Sequence, residues 1–401
     1  FKKCGKIDSA EESIYAIGKL IRNDETGSEK FFQGAIDSSS DCESKINSLC
    51  LYGSFLDNLG RTDEAKECFE NAISEIVSVN DEVFDEIPGT KNKVYVHNSE
   101  FIGGTFIFKT GENLKNIVEE YNKTKFVHNL MENSLGRFVR PLVLTEIDKR
   151  SYVIIKRSGN FSLRDYIEEG HTSEAYSLME DSLDEILLFH LKTNKNLDEA
   201  SRFFEHEDYV SFLNEKFLSR DEKIRPNEKR YNDVVDGLRF IGGEIEQGWS
   251  SLVHKDFHPG NIIVNKKGEI CIIDFEKAKI NSPYVDAVTL IEDYSSKKVF
   301  DNDRSMNDLI KRYNGNAVDS NVVESLEESM KNYHLSAVFE HLHLLGSSVH
   351  FVGGENLPDV REYHLQMSCS HLKELESFYS KRSSDGLRNF RISLEDSVSQ
   401  A

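Results

Sequence analysis

Cysteine and proline are both scarce, at six each in 401 residues. The cysteines (Cys4, Cys42, Cys50, Cys68, Cys271 and Cys369) form no C-x-x-C pair and no other metal-type spacing, which excludes zinc-ribbon and dithiol redox motifs. Several fall in apolar-periodic segments, where a free thiol packs as a small hydrophobe, so a reducing, cytoplasmic setting is expected. Long apolar runs are also missing. Stretches such as Ile186-Leu187-Leu188-Phe189 fall far short of the roughly 18 residues a spanning helix needs, and no signal-peptide core is read at the N-terminal end. Positive charge is in deficit: 49 Lys and Arg stand against 70 Asp and Glu, for a net charge of −21. That field repels nucleic acid and anionic lipid, and neither is expected as a partner. With 38% hydrophobic residues the chain holds enough for a packed core, and its length suits two or three structural units.

Residues 1–77 read as helix, turn, helix. Leu49, Tyr52, Gly53 and Leu56 mark one helix face, Gly60-Arg61-Thr62-Asp63 is a turn that supplies a cap for the next helix, and Ala65, Phe69 and Ala72 follow at spacings of four and three. Small residues at Gly53, Ala65 and Ala72 permit close approach. The pattern resembles a tetratricopeptide repeat. One such unit cannot bury its own face, so it must stack on further repeats or on the next domain, and it offers a docking surface for a protein or peptide. Over 78–158 the period changes to that of strands, at 83–87, 93–96, 105–109, 143–144 and 152–155, with a helix over 115–129. Residues 159–385 are mainly helical, with short strands over 251–274. Residues 386–401 read as a polar, frayed tail.

The chemistry-bearing segment is Val253-His254-Lys255-Asp256-Phe257-His258-Pro259-Gly260-Asn261, then Ile262-Ile263-Val264, a turn, and Glu269-Ile270-Cys271-Ile272-Ile273-Asp274-Phe275-Glu276. It reads as an H-x-D-x-x-x-x-N loop, a hairpin, and an apolar strand ending in D-F-E. Phosphoryl transfer calls for such parts, because it needs charge placed around the moving group more than covalent help. Mg²⁺ takes hard oxygen ligands, which Asp274 at the strand end and Asn261 in the loop offer. Asp256 stays off the metal, free to orient an acceptor hydroxyl or amine and take its proton.

These residues resemble the protein-kinase-like superfamily, and within it the aminoglycoside phosphotransferase and choline kinase branch. His258-Pro259-Gly260-Asn261 and Phe275-Glu276 are similar to that branch. Protein kinases instead place Lys two residues after the catalytic Asp and Gly after the Phe, and no A-P-E segment follows here. The resemblance implies an α+β, two-lobed protein-kinase-like fold: a small antiparallel-sheet N-lobe and a mainly helical C-lobe, preceded by the tetratricopeptide-like segment. It implies ATP and Mg²⁺ as cofactors, Asp256 as catalytic residue, and Asn261 and Asp274 as metal ligands. It implies a phosphate-side loop at Gly89, Thr90 and Asn92, and Lys109 on the third strand holding phosphates, with Glu120, or Glu119 one step around, as its partner. Ile107 and Ile155 would line the adenine slot, with Lys156 and Ser158 at the hinge. His254, His258 and Asp286 would support the catalytic loop, and His190 is similar to a structural helix-end histidine. The expected reaction transfers a phosphoryl group to a hydroxyl, or an amine, of a small molecule such as an aminoglycoside, a choline-like amino alcohol or a sugar. A protein kinase, or a nucleotide-binding scaffold whose repeat region holds a partner, is the alternative.

Other charged and titratable residues read as structural. Lys255 is expected in solvent, as is the helix face Glu324–Glu328. His341, His343 and His350 lie in a helical segment, but residues two apart do not share a helix face and no nearby Cys or paired carboxylate completes a zinc set. They read as structural or acceptor-pocket residues, and metal ligation is not expected of them.

Overall fold

The computed structural model describes residues 25–78, 85–86, 93–99, 104–111, 114–131, 137–147, 150–159, 161–218, 228–300, 305–348 and 357–398. They group into two compact units, one within residues 1–160 and 263–276, the other within 161–262 and 277–401.

The described part of unit 1 begins with three helices, α1 (Glu25–Ser38), α2 (Cys42–Asn58) and α3 (Thr62–Ser78). Asp41 caps α2 by accepting the Ser44 N–H at 2.8 Å. The turn into α3 passes through Gly60 at φ +77°, a left-handed conformation glycine adopts without strain. Between α2 and α3, a Cβ on Gly53 would sit 2.8 Å from the Phe69 ring, so the approach of the two helices depends on the missing side chain.

The sheet that follows contains β1 (Asp85–Glu86), β2 (Lys93–Ser99), β3 (Gly104–Gly111), β4 (Arg140–Ile147) and β5 (Arg150–Ser158), ordered β1-β2-β3-β5-β4 with every pair antiparallel. Helix α4 (Leu114–Leu130) connects β3 to the β4–β5 hairpin. Alternation along β3 gives the sheet two distinct faces. Phe106 and Phe108, with Tyr152 and Ile154 of β5, share one core with Phe32, Ile46, Phe55 and Phe69 of the helices. Ile107 and Lys109 lie on the other face, opposite Ile155 and Val153. An Arg140–Asp57 ion pair and a Thr145 Oγ1–H bond to Glu70 (3.0 Å) tie β4 to α2 and α3. Of the two fates open to the N-terminal helices, stacking on the next domain is the one observed.

Unit 2 is mainly helical. A short antiparallel pair, Ser251–Val253 with Lys279–Asn281, brackets the His254–Asp274 segment in sequence. The helix Tyr284–Ile291 is buried along its whole length. Tyr209, Leu213, Phe217, Leu238, Phe339 and Leu342 belong to the core. So do Leu387, Phe390 and Leu394, which corrects the reading of 386–401 as a frayed tail: Lys381–Val398 is a helix. Its average composition is polar, but the three apolar residues recur at three and four and form one stripe. Among the described residues, Cys42, Cys50, Cys68, Cys271 and Cys369 are free thiols, and no helix is long and apolar enough to cross a membrane.

Candidate functional site

Among the described residues, each unit carries a constellation of the charged groups singled out in the sequence. In unit 1 the constellation centres on Lys109, set by the register of β3 on the face away from α1–α3. Its Nζ donates to Glu120 Oε1 and lies 3.9 Å from Asp274 Oδ1. Glu120 belongs to the buried face of α4 with Ile117 and Thr124, positions three and four apart. Glu119 is exposed and pairs with Lys123 at 2.9 Å. Of the two carboxylates left open by the sequence, Glu120 is the one that meets Lys109. Burial works against the Lys109 charge, but the carboxylates of Glu120 and Asp274 outweigh it and hold the pKa above its ordinary value.

Asp274 follows the buried strand Ile270–Ile272 and has φ +70°, a left-handed conformation uncommon outside glycine. Strain of this kind persists only when the surroundings fix the chain. Here Phe275 is fully buried beside Phe138, with ring centroids 6.0 Å apart, and Lys123 Nζ donates to the Glu276 carbonyl at 3.1 Å. Asp274 Oδ1 is buried without a hydrogen-bond donor. Gly159 closes off the end of β5: at φ +95°, a Cβ there would lie 2.3 Å from the Val264 carbonyl oxygen.

The remaining residues expected at a nucleotide divide. Ile107 and Ile155 pair directly across β3 and β5, are buried, and share the Lys109 face. Lys156 is a correction. Alternation puts its side chain on the face of Phe106 and Phe108, and Arg140 and Asp57 are among the charges that act on it, so it does not join the Lys109 set. Burial and the Arg140 charge lower its pKa. Ser158 ends β5 opposite Gly104. Gly89, Thr90 and Asn92 lie outside the described residues.

In unit 2 the segment Val253–Asn261 is held by Asp286. Its Oδ2 accepts the His254 N–H (2.7 Å) and its Oδ1 accepts the Lys255 N–H (2.8 Å). His190 Nε2–H donates to Oδ2 at 2.9 Å, while His190 Nδ1 lies 3.1 Å from the Tyr313 hydroxyl. Lys255, expected in solvent, is buried: its Nζ lies 3.2 Å from Glu340 and 3.7 Å from Glu207, and 4.4 Å above the Phe339 ring. Its backbone is left-handed, at φ +69°, with the N–H bound to Asp286 and the side chain directed to Glu340 and Glu207. Nothing in local sequence announces this.

Asp256 sits on this fixed backbone. Its N–H donates to His254 Nδ1 (3.3 Å), and its carbonyl accepts the Asn261 Nδ2–H (2.8 Å). Lys277 Nζ donates to its Oδ2 at 2.8 Å. Burial pushes the Asp256 pKa up, but the Lys277 charge and its hydrogen bond outweigh it and hold the carboxyl below the usual range. His258 Nδ1 faces the Gly260 N–H (3.0 Å) and Arg164 Nη2 (3.4 Å). Both are donors, so Nδ1 accepts and the proton sits on Nε2, 4.0 Å from Asp256 Oδ1. Burial lowers the His258 pKa. Asn261, with its amide N–H engaged, has its Oδ1 left to offer.

Lys277 and Arg164 were missed in the sequence. Lys277 had a signal, standing directly after the D-F-E triplet; Arg164 had none beyond its place in the Ser162–Asp165 capping box.

The model of the phosphotransferase enzyme family (APH) matches residues 200–313, a span that contains Asp256, Asn261, Asp274 and Asp286. Among solved structures, the chain is similar to a choline kinase of Streptococcus pneumoniae (15% identity, 75% of this chain and 99% of that one, TM-score 0.44). It is also similar to an ethanolamine kinase of Plasmodium vivax (12%, 83% and 94%, TM-score 0.44). A third is an aminoglycoside phosphotransferase of Streptomyces rimosus in complex with ADP and streptomycin (11%, 67% and 95%, TM-score 0.43). Comparison with curated protein sequences finds no match.

Proposed function

We propose that the chain is an ATP-dependent phosphotransferase that moves the γ-phosphoryl of Mg-ATP to a hydroxyl of a small molecule. The observation that carries this reading is Asp256, a carboxylate kept ionised by Lys277 in a loop fixed by Asp286, within the span matched by the phosphotransferase family.

In this reading Asp256 orients the acceptor hydroxyl. A bond forms from the acceptor oxygen to the γ-phosphorus, the bridging oxygen–phosphorus bond of ATP breaks, and the hydroxyl proton passes to the Asp256 carboxylate. A carboxyl held below its usual range is a weak base, so its first task is orientation, with the proton moving late. Lys109, fixed by Glu120, holds the phosphates. Ile107 and Ile155 line the adenine slot, and Gly89, Thr90 and Asn92 remain the proposed phosphate loop.

Asn261 and Asp274 would hold Mg²⁺. The buried Oδ1 of Asp274, which accepts no hydrogen bond, fits a hard cation, since a buried carboxylate oxygen without a donor is costly. Mg²⁺, when bound, would offset charge on the phosphate oxygens.

The test is ADP release from Mg-ATP by the full chain, across a panel of aminoglycosides, amino alcohols and sugars. Acceptor-dependent release is expected. In Asp256→Asn it should fall by about 10²–10⁴-fold with nucleotide binding kept. ATP binding without release for any acceptor would move the reading to a nucleotide-binding scaffold.

A further inference from the structure

Away from the catalytic loop, unit 2 buries four histidines around one glutamate. His334 and His341 are seven residues apart on the helix Leu326–Ser348, and His364 and His371 are seven apart on Leu357–Leu375. Seven residues is close to two turns, so each pair lies along one helix face. The two helices run antiparallel here: His341 Nδ1 meets His364 Nδ1 at 2.9 Å, and His334 Nδ1 meets His371 Nδ1 at 2.8 Å. Glu292, which closes the helix Tyr284–Ile291, enters between them. Its Oε2 lies 2.7 Å from His341 Nε2 and 2.8 Å from His371 Nε2, and its Oε1 accepts the Tyr333 hydroxyl at 2.6 Å.

We infer that Glu292, His341 and His371 form a binding site for one divalent transition-metal ion of the borderline class, with Zn²⁺ as its type. One ligand atom from each of the three lies within 4.8 Å of the others, and two imidazoles with one carboxylate are a donor set suited to that class. Metal-bound tetrahedral ligands sit about 3.3 Å apart at ordinary bond lengths, so the two Nε2–Oε2 contacts of 2.7 and 2.8 Å would open by about half an ångström on binding the ion.

The outer histidines complete the argument. A ligating imidazole needs its second nitrogen held by a hydrogen bond that fixes ring and tautomer. His364 and His334 do this for His341 and His371. With the ion bound, His341 and His371 carry their protons on Nδ1 and donate outward, and His364 and His334 carry theirs on Nε2. The exchange is a tautomer shift along two histidine pairs with no net proton released. It requires the outer histidines to be neutral, and both are buried away from solvent. No fourth protein ligand stands beside the three among the described residues, which leaves that position to water. The inference does not depend on the phosphotransferase reading.

The test is the metal content of the full, untagged chain, produced in zinc-supplemented medium and purified without chelator. About one zinc per chain is expected, falling at least about tenfold in His341→Gln and in His371→Gln. His364→Gln keeps all three ligands and should weaken zinc binding about 10–100-fold, read by competition with a chromophoric chelator. Cobalt in place of zinc should give the visible bands of a four-coordinate nitrogen–oxygen site in the wild type. Zinc below about 0.1 equivalent in the wild type would overturn the inference even if every variant failed to fold. Zinc retained in the His341→Gln/His371→Gln double variant would overturn it as well, and the cluster would then be a hydrogen-bonded network only.

Discussion

Asp286 and His190 are joined by a 2.9 Å hydrogen bond, with neither side chain exposed to solvent. The same carboxylate accepts the two consecutive backbone N–H groups of His254 and Lys255. Asp286→Asn keeps the shape but replaces one acceptor oxygen with an amide that donates. At least one of the three buried donors is then unpaired, at a cost of about 1–3 kcal/mol. The urea midpoint should fall accordingly, and an unchanged midpoint would show the clamp to be dispensable.

Glu120→Gln should alter the magnesium requirement more than the fold. Without the Glu120 charge, the nearest carboxylate to Lys109 is Asp274, at 3.9 Å. Lys109 then pairs with the group proposed to hold Mg²⁺ and competes with the ion. Under the proposed function, the Mg²⁺ concentration for half-maximal rate should rise by about tenfold, or 1.4 kcal/mol. Glu119→Gln, at an exposed residue, is the control and should leave that concentration unchanged.

Gly53→Ala tests the α2–α3 contact. The added methyl meets the Phe69 ring at 2.8 Å, and overpacking of this kind costs about 1–3 kcal/mol. Because Phe69 shares a core with Phe106 and Phe108 of the sheet, the loss should appear in the unfolding of unit 1 as a whole. A local effect confined to the helices would contradict the shared core.

Phe390→Ala removes a fully buried ring from the last helix, and a loss of about 3–5 kcal/mol is expected in thermal or urea unfolding. A neutral result would restore the reading of this segment as a frayed tail.

The buried thiols should resist alkylation. Burial raises Cys68 to about 11 and Cys369 to about 12, from an ordinary value of 9.0. At pH 8 iodoacetamide should modify them about a hundredfold more slowly than in the urea-unfolded chain. Since the folded values lie above the unfolded one, ionisation favours the unfolded chain, and stability should fall as pH rises past about 9. Equal rates in folded and unfolded protein would refute the burial.

What could be read in advance was what lies together in the chain. The loop Val253–Asn261 and the strand ending in Asp274 form one contiguous stretch, so their chemistry is visible as spacing. The β-strand periods, and the face of α4 that carries Glu120, follow from residues within a turn or two of each other. The histidine cluster defeats such reading. His341 finds its partners at Glu292, 49 positions back, and at His364, 23 positions on, and only the packing of two helices brings them together. Lys255 and Lys156 fail for a related reason. One has a left-handed backbone and a side chain directed to Glu340 and Glu207, the other is assigned by strand alternation, and neither choice is written in the residue type.

The helix Tyr284–Ile291 has no exposed residue. Asp286 lies in its first turn and Glu292 closes its far end, about 9 Å away at the helical rise of 1.5 Å per residue. A rod enclosed on all sides in a close-packed interior cannot bend or slide by itself. It behaves as a strut, so a push at Glu292 arrives at the backbone of His254 and Lys255 without being absorbed on the way. Hydrogen exchange at those two amides should therefore respond to substitution of Glu292, though no side chain of that residue reaches them.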